Sequence, residues 1–274
     1  MSRSDICRHY TRGGLLDRLL VALARSGHDP DRLAPEDLEG FDEMHVGGRA
    51  ATRSLGELLA LGPGMQVLDI GSGLGGAARY FALAAGCHVT GIDLTFELVA
   101  AARELTRRVG LAHRVHMLVA DACQLPFSDE SFDAAYTIHV GMNIADKPGF
   151  YRQAARVLKP DANFAIFDLV RARGEPDLPV PWAESPQMSH LVSVDELVAL
   201  VEAAGLRVVA LRDRSAFARE SMQRSHERAL RLSGESGGSA PIVMGERFRE
   251  KIAHLAAALA DGRLGACELL ARRK

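Results

Sequence analysis

A short glycine-rich loop, three acids and a histidine hold most of the chemistry this chain can do. Gly71-Ser72-Gly73-Leu74-Gly75-Gly76 follows the apolar run Met65–Ile70. Glycines in a turn between a strand and a helix leave no side chain between a ligand and the backbone amides of the helix start. Gly71, Gly73 and Gly76 also satisfy the spacing of a dinucleotide fingerprint, so the loop alone leaves two ligands open. Asp69 bears on that choice. It puts a carboxylate two residues before the first glycine, where a pyrophosphate would meet negative charge. A ligand that is cationic at that end fits better, and S-adenosylmethionine carries both an ammonium and a sulfonium.

Asp93 stands 20 residues past Gly73, at the end of the next apolar run. A carboxylate at a strand end can accept hydrogen bonds from both ribose hydroxyls, with Leu94 beside it. A nicotinamide enzyme would place an acid in the same way, so Asp93 does not separate the two cofactors. Asp121 follows a third apolar run and is not part of the dinucleotide fingerprint.

Four segments in order, VLDIGSGLGGAARYFA (67–82), GIDLT (91–95), DACQLPFSDESFDAAY (121–136) and ARVLKP (155–160), resemble class I S-adenosylmethionine-dependent methyltransferases. The likeness is greatest to the small-molecule branch that includes sarcosine/dimethylglycine, tocopherol, sugar O- and quinone-biosynthesis methyltransferases. It covers residues 40–213. The resemblance implies that Asp69, Gly71, Gly73, Asp93, Leu94, Asp121 and Ala122 hold the cofactor, the last two at the adenine. It also puts His139, after the fourth strand, beside the methyl group being transferred. A histidine there could orient an acceptor or take its proton, and activity would then rise with pH through the neutral range. Met142 and Asn143 fall in the same segment. Tyr10 and His45 lie before the core, where related enzymes close over the methionine end. Trp182, the sole tryptophan, sits in the stiff sequence PVPWAESP and is a candidate pocket wall.

These residues need a scaffold, and the periodicity supplies one. Residues 1–58 are helical in pattern and form a candidate N-terminal cap. Residues 59–213 alternate strands and helices, which implies an α/β parallel sheet covered on both faces. Residues 214–260 are helical around a Gly/Ser stretch at 233–239, and 261–274 hold a last strand. The resemblance adds that this late strand is antiparallel, making a Rossmann-like, seven-stranded, mostly parallel sheet. Asp146 and Ser193 read as helix N-caps, Thr95 as another, and Arg79 and Tyr80 as facing outward or bracing the cap.

With 274 residues, 47% of them hydrophobic, and a net charge of −2, the chain can bury a core and shows no basic stripe for nucleic acid. The segment 139–147 lacks the Asn-Pro-Pro-Tyr pattern of base methylation. No apolar run is long enough for a membrane span. Four dispersed cysteines and an N-terminus without an apolar core fit a cytoplasmic protein. His113 and His116 straddle a strand start, so no metal site is expected. The expected partner is a small-molecule acceptor, methylated on N or O. Its identity, and the oligomeric state, are not legible. Residues 1–50, 171–192 and 214–258 are where acceptor contacts would fall. Two alternatives stay open at this point: an NAD(P)-dependent oxidoreductase using the same glycines, and a cofactor-binding protein without catalysis.

Overall fold

Val67 packs into one buried cluster while Leu68 and Ile70 pack into another. Successive side chains of a strand point to opposite faces, so this strand is covered on both. The computed structural model describes residues 3–11, 13–231, 239–245 and 247–274. Helices α1 (Arg3–Tyr10), α2 (Leu15–Arg25) and α3 (Gly48–Leu59) precede the sheet. Then come β1 (Gln66–Ile70), α4 (Gly76–Ala85), β2 (His88–Asp93), α5 (Phe96–Arg108), β3 (Val115–Val119) and β4 (Phe132–Ile138). The second half runs α6 (Lys147–Val157), β5 (Leu158–Arg171), α7 (Val194–Ala203) and β6 (Leu206–Asp213). It closes with α8 (Ser215–Arg231), α9 (Ser239–Met244), α10 (Phe248–Ala260) and β7 (Leu264–Arg273).

The seven strands lie in the order β3-β2-β1-β4-β5-β7-β6. All neighbours up to β5 are parallel, and β7 runs antiparallel between β5 and β6. The fold is thus the Rossmann-like sheet expected from the sequence. Chain order reverses between β1 and β4, and the carboxyl ends of strands at such a switch point open a crevice for ligand. Strand β5 is longer than the apolar run 162–169 suggests. Leu158 already pairs with Phe132, and Arg171 still pairs with Leu264 on β7. The helix α6 ends at Val157, before Pro160, and pairing with β4 at one end and with β7 at the other extends the strand past the apolar run.

The expected caps divide. Asp146 Oδ1 accepts from the Gly149 amide at 2.9 Å, and Ser193 and Glu196 form a reciprocal capping box. Thr95 stands at the N-cap of α5 but its side chain caps nothing. Its amide donates to Asp93 Oδ1 at 2.8 Å.

Arg79 does not face outward. It is buried, and it donates to Asp42 Oδ2 (3.0 Å), the Leu74 carbonyl (2.7 Å) and Thr106 Oγ1 (2.9 Å). Arg49 adds an ion pair to Glu43 at 3.1 Å and lies over the Tyr80 ring. Together they pin residues 42–49 onto the start of α4. Gly76 makes the approach possible: a Cβ there would stand 2.5 Å from the Asp42 carbonyl oxygen.

Candidate active site

A single cavity of about 750 Å³ opens over the carboxyl ends of β1 to β5 and runs under α1, α8, α9 and α10. Every site residue expected from the sequence lines it: Asp69, Gly71, Gly73, Asp93, Leu94, Asp121, Ala122, His139, Tyr10, His45, Met142, Asn143 and Trp182.

The glycine loop is built differently from the sequence expectation. The amides of Gly71 and Ser72 both donate to the Ile92 carbonyl at 2.8 Å, and the Gly73 amide donates to Asp93 Oδ2 at 3.0 Å. These amides therefore tie the loop to β2, and the loop's contribution to a ligand is close backbone approach. The glycines also differ in purpose. A Cβ on Gly71 would meet Val140 at 2.2 Å, so glycine is required there by packing. A Cβ on Gly73 would point into the cavity, with only the Met44 methyl within 4 Å, at 3.7 Å. Both have positive φ, +82° and +52°.

Asp69 is buried at the end of β1, in register with Tyr136 of β4. Its Oδ2 has no hydrogen-bond partner among the described residues. Burial raises its pKa to about 7, opposed by the Tyr136 hydroxyl beside it and assisted by the charge of Asp93. A buried carboxylate with an unmatched oxygen is a site short of a cation, and an ammonium group meets that need. Burial also raises Asp93, against two backbone amides that hold its charge in place. Each Asp93 oxygen keeps a lone pair for a ribose hydroxyl. Asp121 Oδ1 accepts from the Cys123 amide at 2.8 Å, shaping the turn after β3. These residues fit S-adenosylmethionine.

On the far side of the cavity, His139 follows β4 with φ at +55°, a conformation that costs a non-glycine residue energy. Its amide donates to the Phe167 carbonyl at 2.8 Å, and its ring lies 4.9 Å from the Phe167 ring and 6.0 Å from that of His45. Its Nε2 is sealed from solvent and unpartnered. Burial pushes the pKa of His139 well below the usual imidazole range, so the ring is neutral across the neutral range. The rise of activity with pH that a titrating His139 would produce is therefore not expected from this residue. His45 is likewise pushed down, to about 4, by burial. Its Nε2 lies 3.3 Å from Thr52 Oγ1, which donates to Glu43 Oε2 at 3.1 Å. Burial lifts Glu43 to about 7, partly offset by Arg49.

Tyr10 Oη donates to Asn143 Oδ1 at 3.2 Å, fastening α1 across the cavity mouth to the turn after β4. His9 Nε2 lies 2.9 Å from the Pro181 carbonyl. Trp182 is buried, with Nε1 donating to Ser189 Oγ at 3.1 Å. The Gly47 amide donates to Ser221 Oγ of α8 at 3.1 Å, and Phe217 packs where a Gly47 Cβ would be.

Sequence reasoning did not single out Met222, Val243, Met244, Phe248, Ile252 or Leu255, which also line the cavity. Each looks like ordinary core in its own helix or loop, and only the packing of α8, α9 and α10 brings them to one wall. Beneath the turn after β4, Asp168 Oδ2 accepts from the Gly141 amide at 3.0 Å, and Lys147 Nζ donates to the Ile144 carbonyl at 3.1 Å. They hold the turn from below and do not line the cavity. Among the described residues no cluster of three or more His, Cys, Asp or Glu is placed to hold a metal ion, and no helix is long and apolar enough to cross a membrane.

A seven-stranded Rossmann-like sheet of this order, with a ligand cavity at its switch point, defines the class I methyltransferase architecture. Comparison with known proteins agrees. A methyltransferase domain model matches residues 68–166. The chain is 36% identical over 204 residues to the O-methyltransferase cnsE of Penicillium expansum, covering 74% of each protein. Among solved structures, a 4+2 cyclase, SpnF, superposes with a TM-score of 0.69 at 25% identity, covering 100% of this chain and 97% of that one. A Haemonchus contortus phosphoethanolamine N-methyltransferase 2, in complex with phosphomonomethylethanolamine and S-adenosylhomocysteine, gives a TM-score of 0.76 at 19% identity, over 100% of this chain and 61% of that one. The chain belongs to the S-adenosylmethionine-dependent methyltransferases, small-molecule branch. It is an enzyme that transfers a methyl group from S-adenosylmethionine to small molecules, and the nicotinamide and non-catalytic alternatives fall away.

Proposed function

We propose that this enzyme is an O-methyltransferase in which cofactor and acceptor lie end to end in the cavity, with His139 at the junction. The observation that carries this reading is the cavity itself, whose β1–β3 end is lined by Asp69, Asp93 and Asp121 and whose other side holds His139. Asp69 takes the ammonium of the cofactor, Gly73 allows its approach while Gly71 lets the loop pack against Val140, Asp93 with Leu94 holds the ribose, and Asp121 with Ala122 holds the adenine. When bound, S-adenosylmethionine supplies a methyl group on a cationic sulfur, already activated for in-line displacement.

The protein's part is then alignment, exclusion of water and custody of one proton. The neutral imidazole of His139 would accept a hydrogen bond from the acceptor hydroxyl and hold its proton during the transfer. Its left-handed backbone aims the ring at that point, which is why strain is tolerated there. Tyr10, His45, Met142, Asn143 and Trp182 enclose the acceptor. Residues 1–58 serve as the cap, 59–213 as the cofactor-binding core, 214–260 as the cover over the acceptor, and 261–274 as the last core strand. Support for oxygen as the acceptor atom comes from the O-methyltransferase cnsE. The four dispersed cysteines support a cytoplasmic location, and the absence of Lys or Arg among the described cavity residues supports a small molecule over nucleic acid.

Calorimetry with S-adenosylhomocysteine and with NADH tests the cofactor half. S-adenosylhomocysteine should bind and NADH should not. The reverse result would overturn the reading.

A further inference from the structure

Four of the chain's eight methionines, Met44, Met142, Met222 and Met244, line the same cavity. From these and their neighbours we infer that the acceptor is an uncharged, largely apolar molecule, not a phosphorylated or otherwise anionic one. The inference rests on the proposed end-to-end placement of cofactor and acceptor.

The first ground is charge. The described residues of the cavity wall include no lysine and no arginine. Recognition of a phosphate or diphosphate needs cationic or multiple amide donors. The nearest arginines, Arg49 and Arg79, are both committed to Asp42, and Arg49 to Glu43 as well. The charged side chains that do reach the wall are carboxylates, Asp42, Glu43, Asp69, Asp93, Asp121 and Asp146. An anion entering this space would lose hydration and meet no cationic side chain among the described wall residues.

The second ground is surface chemistry. Beyond His139 the wall includes Met142, Trp182, Met222, Val243, Phe248 and Ile252, with Tyr10, Asn143, Ser221 and Ser225 as its polar members. Apolar area of this kind binds apolar ligand area, and Trp182 offers a flat aromatic surface whose own N–H is already satisfied by Ser189. Methionine side chains adapt to irregular shapes. The site is therefore suited to bulky, neutral, hydroxyl-bearing molecules and to more than one of them. Ser221 Oγ is engaged by the Gly47 amide.

The test uses the full chain saturated with S-adenosylhomocysteine and the neutral fluorophore Nile red as probe. Saturable Nile red binding is expected, displaced by 1-naphthol at least tenfold more tightly than by 1-naphthyl phosphate. Met222→Lys and Ile252→Lys should each weaken Nile red tenfold or more, whereas Met222→Leu should not. Displacement by the phosphate ester equal to or tighter than by the phenol would overturn the inference, as would Nile red binding indifferent to both lysine variants. Calorimetry with S-adenosylhomocysteine on each protein checks that it is folded. Failure of the wild type to bind S-adenosylhomocysteine would overturn the cofactor placement, whereas intact binding with a preference for the ester overturns the acceptor class alone.

Discussion

The two ends of the cavity are built by different means. At the cofactor end, the parts come from three consecutive strand–loop units, and each acid stands at or just past a strand's carboxyl end. Asp69 closes on β1, Asp93 ends β2, and Asp121 follows β3. The loop is locked by short local bonds, such as Gly73 to Asp93. At the acceptor end, the wall is assembled from α1, the segment 42–48, the turn after β4, the loop around Trp182, and helices α8, α9 and α10. Those pieces are held by long-range bonds: Tyr10 to Asn143, His9 to Pro181, Gly47 to Ser221. The first end is a rigid fixture of the sheet. The second is a shell whose shape depends on how separate segments dock, so changes there should alter selectivity before they alter the fold.

The largest effect should come from Gly73→Val. A side chain would enter the ligand space, and the φ of +52° adds a backbone cost of about 1–2 kcal/mol. Cofactor binding should fall beyond detection by calorimetry while far-UV circular dichroism still reports the sheet. Gly71→Ala should behave in the opposite sense. The collision with Val140 destabilises the fold by about 1–3 kcal/mol, as overpacking does, read from the denaturant midpoint. Equal effects of the two variants on cofactor affinity would erase the distinction between the glycines.

Next is His139→Ala, which should lower kcat roughly 10²-fold, the scale of general acid–base loss, with the dissociation constant of S-adenosylhomocysteine within about twofold. Because burial keeps the imidazole neutral, wild-type kcat at saturating cofactor should be flat between pH 6.5 and 8.5. A stability loss with turnover unchanged per folded molecule would make His139 a packing residue. Asp93→Ala should weaken S-adenosylmethionine by about 1.5–3 kcal/mol, the range for charge-assisted hydrogen bonds. Part of that loss would come through the freed Gly73 amide. An unchanged dissociation constant would remove the ribose assignment.

A smaller effect concerns pH. Asp69, with its pKa raised to about 7 by burial, is protonated in part below neutrality in the free enzyme. A bound ammonium favours the ionised form, so affinity for S-adenosylhomocysteine should rise by about tenfold from pH 6 to pH 8. For stability the sign is reversed. A carboxyl raised above its unfolded value favours the fold below the unfolded pKa, and that contribution is lost as pH rises through about 7. Glu43 and Asp168, both also raised to about 7 by burial, act in the same direction. The ligand-free melting temperature should decline from pH 5.5 to 8 while the stabilisation by cofactor grows. Asp69→Asn should flatten the affinity profile, and a profile unchanged by that variant would place the titration elsewhere.

By itself the sequence determined the sheet, the order of its elements and the acids at the carboxyl ends of β1 to β3. Those depend on local pattern: apolar runs closed by Asp, a glycine turn, and helices opened by caps such as Asp146 and Ser193. It also marked His139 by its place after β4. Only the tertiary structure decided what the glycines are for, since Val140 and the Asp42 carbonyl come from other parts of the chain. It decided between the two readings of Arg79 in favour of the brace, and it left the Thr95 side chain capping nothing. It decided, above all, the acceptor wall. Met222 and Ile252 carry the same helical periodicity whether they face a core or a cavity, because periodicity records which face is covered and not what covers it.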